Sequence, residues 1–114
     1  MTIEDDRRKA QPVALGVIDY FPDALLALAE LSRRGNEQHH PGAPLHWSYR
    51  QSAQHADSMM RHFIDRHSDD TDGVPHMVKV AWRALAMLQT HLEGADPELH
   101  ARREERRSAA KSGR

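Results

Sequence analysis

The sequence predicts an all-α fold, a small bundle of three principal helices. Three observations carry that expectation. Apolar residues recur three and four positions apart in three separate stretches. Proline and glycine punctuate the chain between those stretches. No segment shows a sustained apolar–polar alternation; VALGVIDYF (residues 13–21) comes nearest, and it reads better as a short extended lead-in than as part of a sheet.

The first helix is expected from about Asp23 to Arg34. Pro22 and Asp23 suit a first turn, and ALLALAELSRR is dense in strong helix formers. Leu25, Leu28, Ala29 and Ser32 form its inward side, with Asp23, Glu30 and Arg34 opposite. Gly35-Asn36 reads as a C-cap, and Glu37 joins the outer face only if the helix passes that point. HHPGAPLH (residues 39–46) is a loop.

The second helix begins near Ser48 or Ser52 and runs to about His67. Its apolar arc comprises Ala53, Ala56, Met59, Met60, Phe63 and Ile64. SDDTDG (residues 68–73) is a turn, after which Pro75 opens a third helix reaching about Leu92. Val78, Ala81, Trp82, Leu85, Leu88 and Leu92 give that helix its periodicity, and Gly94 and Pro97 end it.

A chain of 114 residues is one domain. Residues 1–18 read as a flexible lead-in, 19–95 as the helical domain and 96–114 as a charged tail able to prolong the last helix. With 39% hydrophobic residues and a mean hydropathy of -0.78, the core is thin. Completion of one flank by a second copy, a homo-oligomer, is therefore expected. Met59, Met60, Met77 and Met87 either fill the internal core or serve that contact.

The formal net charge of -1 gives no strong nucleic-acid signal. Without cysteine there is no disulfide, thiolate nucleophile or thiolate-bound zinc. No apolar run of membrane-spanning length and no signal-peptide pattern is seen, so no membrane association and a cytoplasmic location are expected.

The chemistry-bearing residues crowd around the second and third helices. Asp57, Arg61 and Asp65 share one polar strip, which on its own reads as a solvated ion-pair ladder. His62 sits at the margin of the apolar arc, on the same side as His55. His76, Lys79 and Arg83 form a row spaced three and four apart, a positive rail about two turns long that suits a chain of phosphates. Aspartates of the intervening turn, with Glu30 or Glu37, are hard oxygen ligands suited to Mg²⁺ or Mn²⁺. His39-His40 is a weaker, zinc-like signal, with no HExxH pattern to support it.

The order and spacing of several elements resemble the phage-type dATP/dGTP diphosphohydrolase domain, a relative of the MazG-like all-α nucleotide pyrophosphohydrolases. The resemblance is carried by Phe21-Pro22, the ALLALAEL helix with Glu30, Gly35, Trp47, Ala56 leading to Arg61-His62, then Asp69, Gly73 and His76 in DDTDGVPH, and the WRALAML helix. It covers roughly Tyr20 to Leu92. This chain departs from the pattern at Gln38-His39, at His46 before Trp47, and at Lys79 and Arg83. The literal carboxylate signature of MazG-like proteins is absent.

The resemblance implies metal-dependent hydrolysis of a deoxypurine nucleoside triphosphate to the monophosphate or diphosphate, with Mg²⁺ or Mn²⁺ as cofactor, in the host cytoplasm where the chain is phage-encoded. It also suggests roles. Glu30, His62, Asp69 and His76 would hold the metal, and Glu37, Arg61 and His62 would act in catalysis. Arg61, Lys79 and Arg83 would neutralise phosphates, and Trp47 would stack on the base. The alternatives are a non-catalytic helical interaction domain and, less favoured because no His-Asp dipeptide occurs, an HD-type phosphohydrolase.

Overall fold

A computed structural model describes residues 2–49, 53–95, 101, 102, 104–106, 108 and 109. It is all-α. Among the described residues, the helices α1 (Ile3–Lys9), α2 (Pro22–His39), α3 (His55–Ile64) and α4 (His76–Ala95) are joined by a π-helical segment at Ala14–Ile18 and by loops. The described residues contain no strand, and the single isolated bridge pairs Asp69 with Pro75.

The stretch expected to be extended is therefore helical. Its widened turn is fixed by the Asp19 amide donating to the Ala14 carbonyl, five residues back, at 2.9 Å. Ahead of it, Thr2 starts α1 with a capping box: its hydroxyl accepts from the Asp5 amide, and the Asp5 carboxylate accepts from the Thr2 amide. Beyond Ala95, the described residues of the expected C-terminal tail are helical.

Helix α2 does not stop at Gly35-Asn36 but runs on to His39. Glycine costs about 1 kcal/mol in a helix interior, which local pairing and tertiary bonds can offset. Arg33 bridges Glu30 and Glu37 across the break. Asn36 is used differently from a cap: its amide donates to the Ala43 carbonyl and its carbonyl oxygen accepts from the His46 amide, tying down the returning loop. Pro41 then prevents continuation. Gly94 likewise lies inside α4 rather than ending it.

Helix α3 is shorter than expected, beginning at His55 and giving way at Asp65 to the connection into α4. That connection is a tight, bonded hairpin. Asp70 donates its amide to Val74, Gly73 donates to Asp70 at a positive φ of 81°, and His76 donates back to Ser68. Buried Val74 anchors it. The short link makes α3 and α4 neighbours, and α2 lies across α4.

The core is small and partly polar. Leu28, Tyr49, Val74 and Ala86 are its buried apolar residues, alongside buried His55, Ser58 and Glu93. This corrects the expected inward faces of α3 and α4. Met60, Phe63, Ile64, Leu85, Leu88 and Leu92 are exposed, because the packed side of α3 is the one bearing His55 and Ser58. Helical periodicity locates an apolar stripe, but not the neighbour it faces.

Candidate functional site

The polar side of α3, the hairpin, the middle of α4 and the second half of α2 surround one open cavity of about 840 Å³. Arg34 and Glu37 reach it from α2, Trp47 from the loop, His62 from α3, Asp70 and Asp72 from the hairpin, and Lys79, Trp82 and Arg83 from α4. Residues 30 to 50 positions apart in sequence converge here because α2 crosses the hairpin end of the α3–α4 pair. Arg34 makes that crossing explicit, donating to the Asp72 carbonyl at 2.7 Å.

At the hairpin end, Nδ1 of His62 and Nδ1 of His76 lie 2.8 Å apart, the rings tilted by 36°. Asp70 completes a group whose candidate ligand atoms all lie within 4.8 Å of one another. Burial first, then the neighbouring His76 and Lys79, hold the His62 pKa below its ordinary value and so favour the neutral imidazole, the form able to bind a metal ion. Two imidazole nitrogens bound at right angles to one ion at about 2.1 Å would be separated by about 3 Å. The observed spacing fits a divalent ion, and the donor set of two nitrogens and one carboxylate is chemically suited to one.

Beside this group, Lys79 bridges Asp70 at 2.6 Å and Asp72 at 2.8 Å. The lysine and the backbone amide of Thr71 hold the Asp70 carboxyl down to about 2; Lys79 and the Val74 amide lower Asp72 as well. For Lys79, burial disfavours the charge, but hydrogen bonds to the two carboxylates outweigh it and raise the pKa. Two carboxylates against one ammonium leave a net negative charge at the edge of the histidine pair.

The opposite end of the cavity is cationic and aromatic. Trp47 stacks on Trp82 at 4.8 Å and meets the edge of His55 at 5.5 Å. Arg83 lies over the Trp47 ring at 5.9 Å and donates to Nδ1 of His55 at 3.0 Å. Burial, reinforced by repulsion from Arg61, lowers the Arg83 pKa. Among the described residues no carboxylate pairs with it. A half-buried guanidinium without a counter-charge favours an arriving anion.

The expected site residues thus fall into two sets. Glu37, Trp47, His62, Lys79 and Arg83 line the cavity, and His76 joins through its contact with His62. Glu30 is taken up in an exposed ion pair with Arg33. Arg61 lies outside the lining and donates to Ser58 Oγ at 3.1 Å, not to Asp57 or Asp65 as a helix ladder would require. Asp69 is exposed, its backbone bridging Pro75, and the carboxylate in the histidine group is that of its neighbour Asp70. Asp70 and Asp72 belong to the turn aspartates read as hard oxygen ligands, although Asp69 is the one assigned to the metal; in the sequence Arg34 and Trp82 read only as parts of a helix face and an apolar repeat. Adjacent aspartates in DDTD look alike until a turn orients them, and Trp82 fits the apolar repeat of its helix.

Fold and site together define a small all-α domain with a cavity divided between a cationic, aromatic end and a histidine–carboxylate end. The family model for dATP/dGTP diphosphohydrolase, N-terminal, matches residues 2–100, and the chain belongs to that family. No curated protein and no solved structure matches the chain. No single helix among the described residues is long and apolar enough to cross a membrane.

Proposed function

We propose that the chain binds a deoxypurine nucleoside triphosphate of the dATP/dGTP type in this cavity and hydrolyses a phosphoanhydride bond with the help of a divalent cation, Mg²⁺ or Mn²⁺. The observation that carries the reading is the single cavity joining Arg83 and stacked Trp47 to the His62–Asp70–His76 group, in a chain of this family. His62, Asp70 and His76 are the residues to hold the ion. When bound, it would supply Lewis acidity at phosphate oxygens and lower the pKa of a water molecule.

The other residues bind and orient. Arg83 contributes a guanidinium already held by His55 and, among the described residues, lacking a carboxylate partner, suited to bidentate contact with phosphate. Lys79 is reserved by Asp70 and Asp72, so it screens that end of the cavity more than it offers a free donor. Arg34 adds positive charge from α2, and Arg61 acts at longer range through Arg83. Trp47 and Trp82 give an aromatic surface for the purine, and Glu37 is a cavity carboxylate able to accept a proton from water. A reaction on free nucleotides accords with the expected cytoplasmic location.

Mixing the purified chain with dATP or dGTP and either Mg²⁺ or Mn²⁺ tests the reading. Monophosphate with pyrophosphate, or diphosphate with phosphate, is the expected product pair. No turnover of any common nucleotide with either ion would overturn it. A rise in Tm on adding nucleotide separates the site from a non-catalytic interaction domain, which would show none.

A further inference from the structure

The histidine group differs in kind from the all-oxygen sites that Mg²⁺ prefers. Two of its three donors are imidazole nitrogens, drawn from facing helices and held 2.8 Å apart. Its one carboxylate is fixed before any ion arrives: Asp70 accepts from the Thr71 amide at 2.7 Å and from Lys79 at 2.6 Å. Asp72 also accepts from that lysine at 2.8 Å, so the ammonium does not cancel the Asp70 charge alone. Such support orients a ligand and sharpens its geometry. Mg²⁺ sheds water reluctantly and favours oxygen; imidazole suits transition ions, with affinity rising from Mn²⁺ through Co²⁺ to Ni²⁺, and it suits Zn²⁺ as well.

We propose that His62, Asp70 and His76 form a single-ion centre that takes a divalent transition metal and discriminates against Mg²⁺, with Lys79 and Thr71 as positioning residues for Asp70. The inference rests on the hydrolase reading only in giving the ion a purpose. Three protein donors leave coordination positions open toward the cavity, where phosphate oxygens and water would enter. Binding also has to replace the hydrogen shared between the two Nδ1 atoms, so a proton is released or moved to Nε2 as the ion enters.

The test uses the full chain, freed of metal by a chelator, with Co²⁺ as a coloured probe and Zn²⁺ and Mn²⁺ followed by calorimetry. The expected result is one ion per chain, a visible Co²⁺ spectrum characteristic of mixed nitrogen and oxygen donors, and no displacement by Mg²⁺ in about hundredfold excess. His62→Gln, His76→Gln and Asp70→Asn should each weaken binding by at least about tenfold. His67→Gln, which removes an exposed histidine nearby, should not. Circular dichroism checks that each variant is folded, and the Mg²⁺ competition on the unaltered chain stands independently of them. No Co²⁺ binding, equal displacement by Mg²⁺, or undiminished binding in folded His62→Gln and His76→Gln overturns the centre. Turnover with Mg²⁺ alone and no Co²⁺ binding would sink this inference while leaving the hydrolase reading intact; tight Co²⁺ binding without turnover would do the reverse.

Discussion

Arg83 donates to Nδ1 of His55 at 3.0 Å, and this contact determines the form of the histidine. Arginine has no acceptor, so Nδ1 must carry the lone pair and Nε2 the hydrogen. The Nε2–H then donates to the Tyr49 carbonyl. A buried histidine thereby links the loop carrying Trp47 to the cation at the aromatic end of the cavity, and removing it leaves two polar groups without their partner. His55→Ala should lower stability by about 1–3 kcal/mol. In urea denaturation this appears as a lower midpoint at unchanged slope; an unchanged midpoint would mean that the relay contributes nothing.

Arg83 itself should matter more for ligand than for fold. Its charge is half-buried and, among the described residues, uncompensated by a carboxylate, so Arg83→Met removes an electrostatic cost along with the hydrogen bond to His55. Charge-assisted hydrogen bonds contribute about 1.5–3 kcal/mol. Nucleoside triphosphate affinity should therefore fall by one to two orders of magnitude while Tm changes little. Arg83→Lys should recover only part of the loss, since a point charge cannot reproduce the planar fork. Calorimetric titration with a non-hydrolysed nucleotide analogue measures both.

The hairpin makes a pH prediction whose sign follows from the pairings. Asp70 has its pKa lowered from 3.8 to about 2, chiefly by Lys79. Its contribution to stability is complete above the unfolded value and is lost as pH falls through the folded one. Thermal stability should thus decline between about pH 4 and about pH 2 with a component that Asp70→Asn removes. Asp72, lowered in the same direction, adds to the slope in that acid range. At neutral pH both carboxylates stay ionised, and the Lys79 contribution fades only at alkaline pH, as its raised pKa is passed. Melting curves of both proteins across the acid range decide the matter; identical slopes would exclude Asp70 as a source.

How far the sequence could be read depended on whether a property is local. The three principal helices follow from composition and spacing, and Pro22, Pro41 and Gly73 mark real boundaries or turns. The passage of α2 through Gly35 was not legible, because the bonds that retain it go from Arg34 to Asp72 and from Asn36 to a loop several residues on. The same limit applies at the site. His62, His76, Lys79 and Arg83 stand out by spacing along their helices. Whether Asp69 or Asp70 meets the histidines depends on hairpin bonds, which hold Asp70 through the Val74 carbonyl, the Thr71 amide and Lys79.

Trp47 supplies a spectroscopic prediction. Its ring stacks on Trp82, lies under Arg83 and lines the cavity, so a purine entering there comes against the tryptophan pair. Base stacking should quench the tryptophan fluorescence, more for dATP and dGTP than for pyrimidine nucleotides of equal charge. Equal quenching by all four would assign the contact to phosphate alone. Trp47→Phe should keep the stack with Trp82 and weaken the base preference without unfolding the chain.

The exposed apolar residues of α3 and α4 lead to the last prediction. Ile64 is 77% and Leu88 53% exposed, with Phe63, Leu85 and Leu92 also largely open. Monomeric domains seldom leave such a run of large side chains on packed helices uncovered. A homo-oligomer that buries this flank would add the apolar contact missing from a core whose buried side chains are partly polar, and would leave the cavity, formed on the polar side of α3, free. The unaltered chain should then sediment as a defined oligomer at micromolar concentration, and Ile64→Glu with Leu88→Glu should convert it to monomer. Because both residues already meet solvent within one chain, the change should act on assembly and not on the fold of the subunit, so helical content should persist in the monomer. A wild-type chain that sediments as a monomer at every concentration tested would show that these side chains are simply solvated and that the thin core is sufficient.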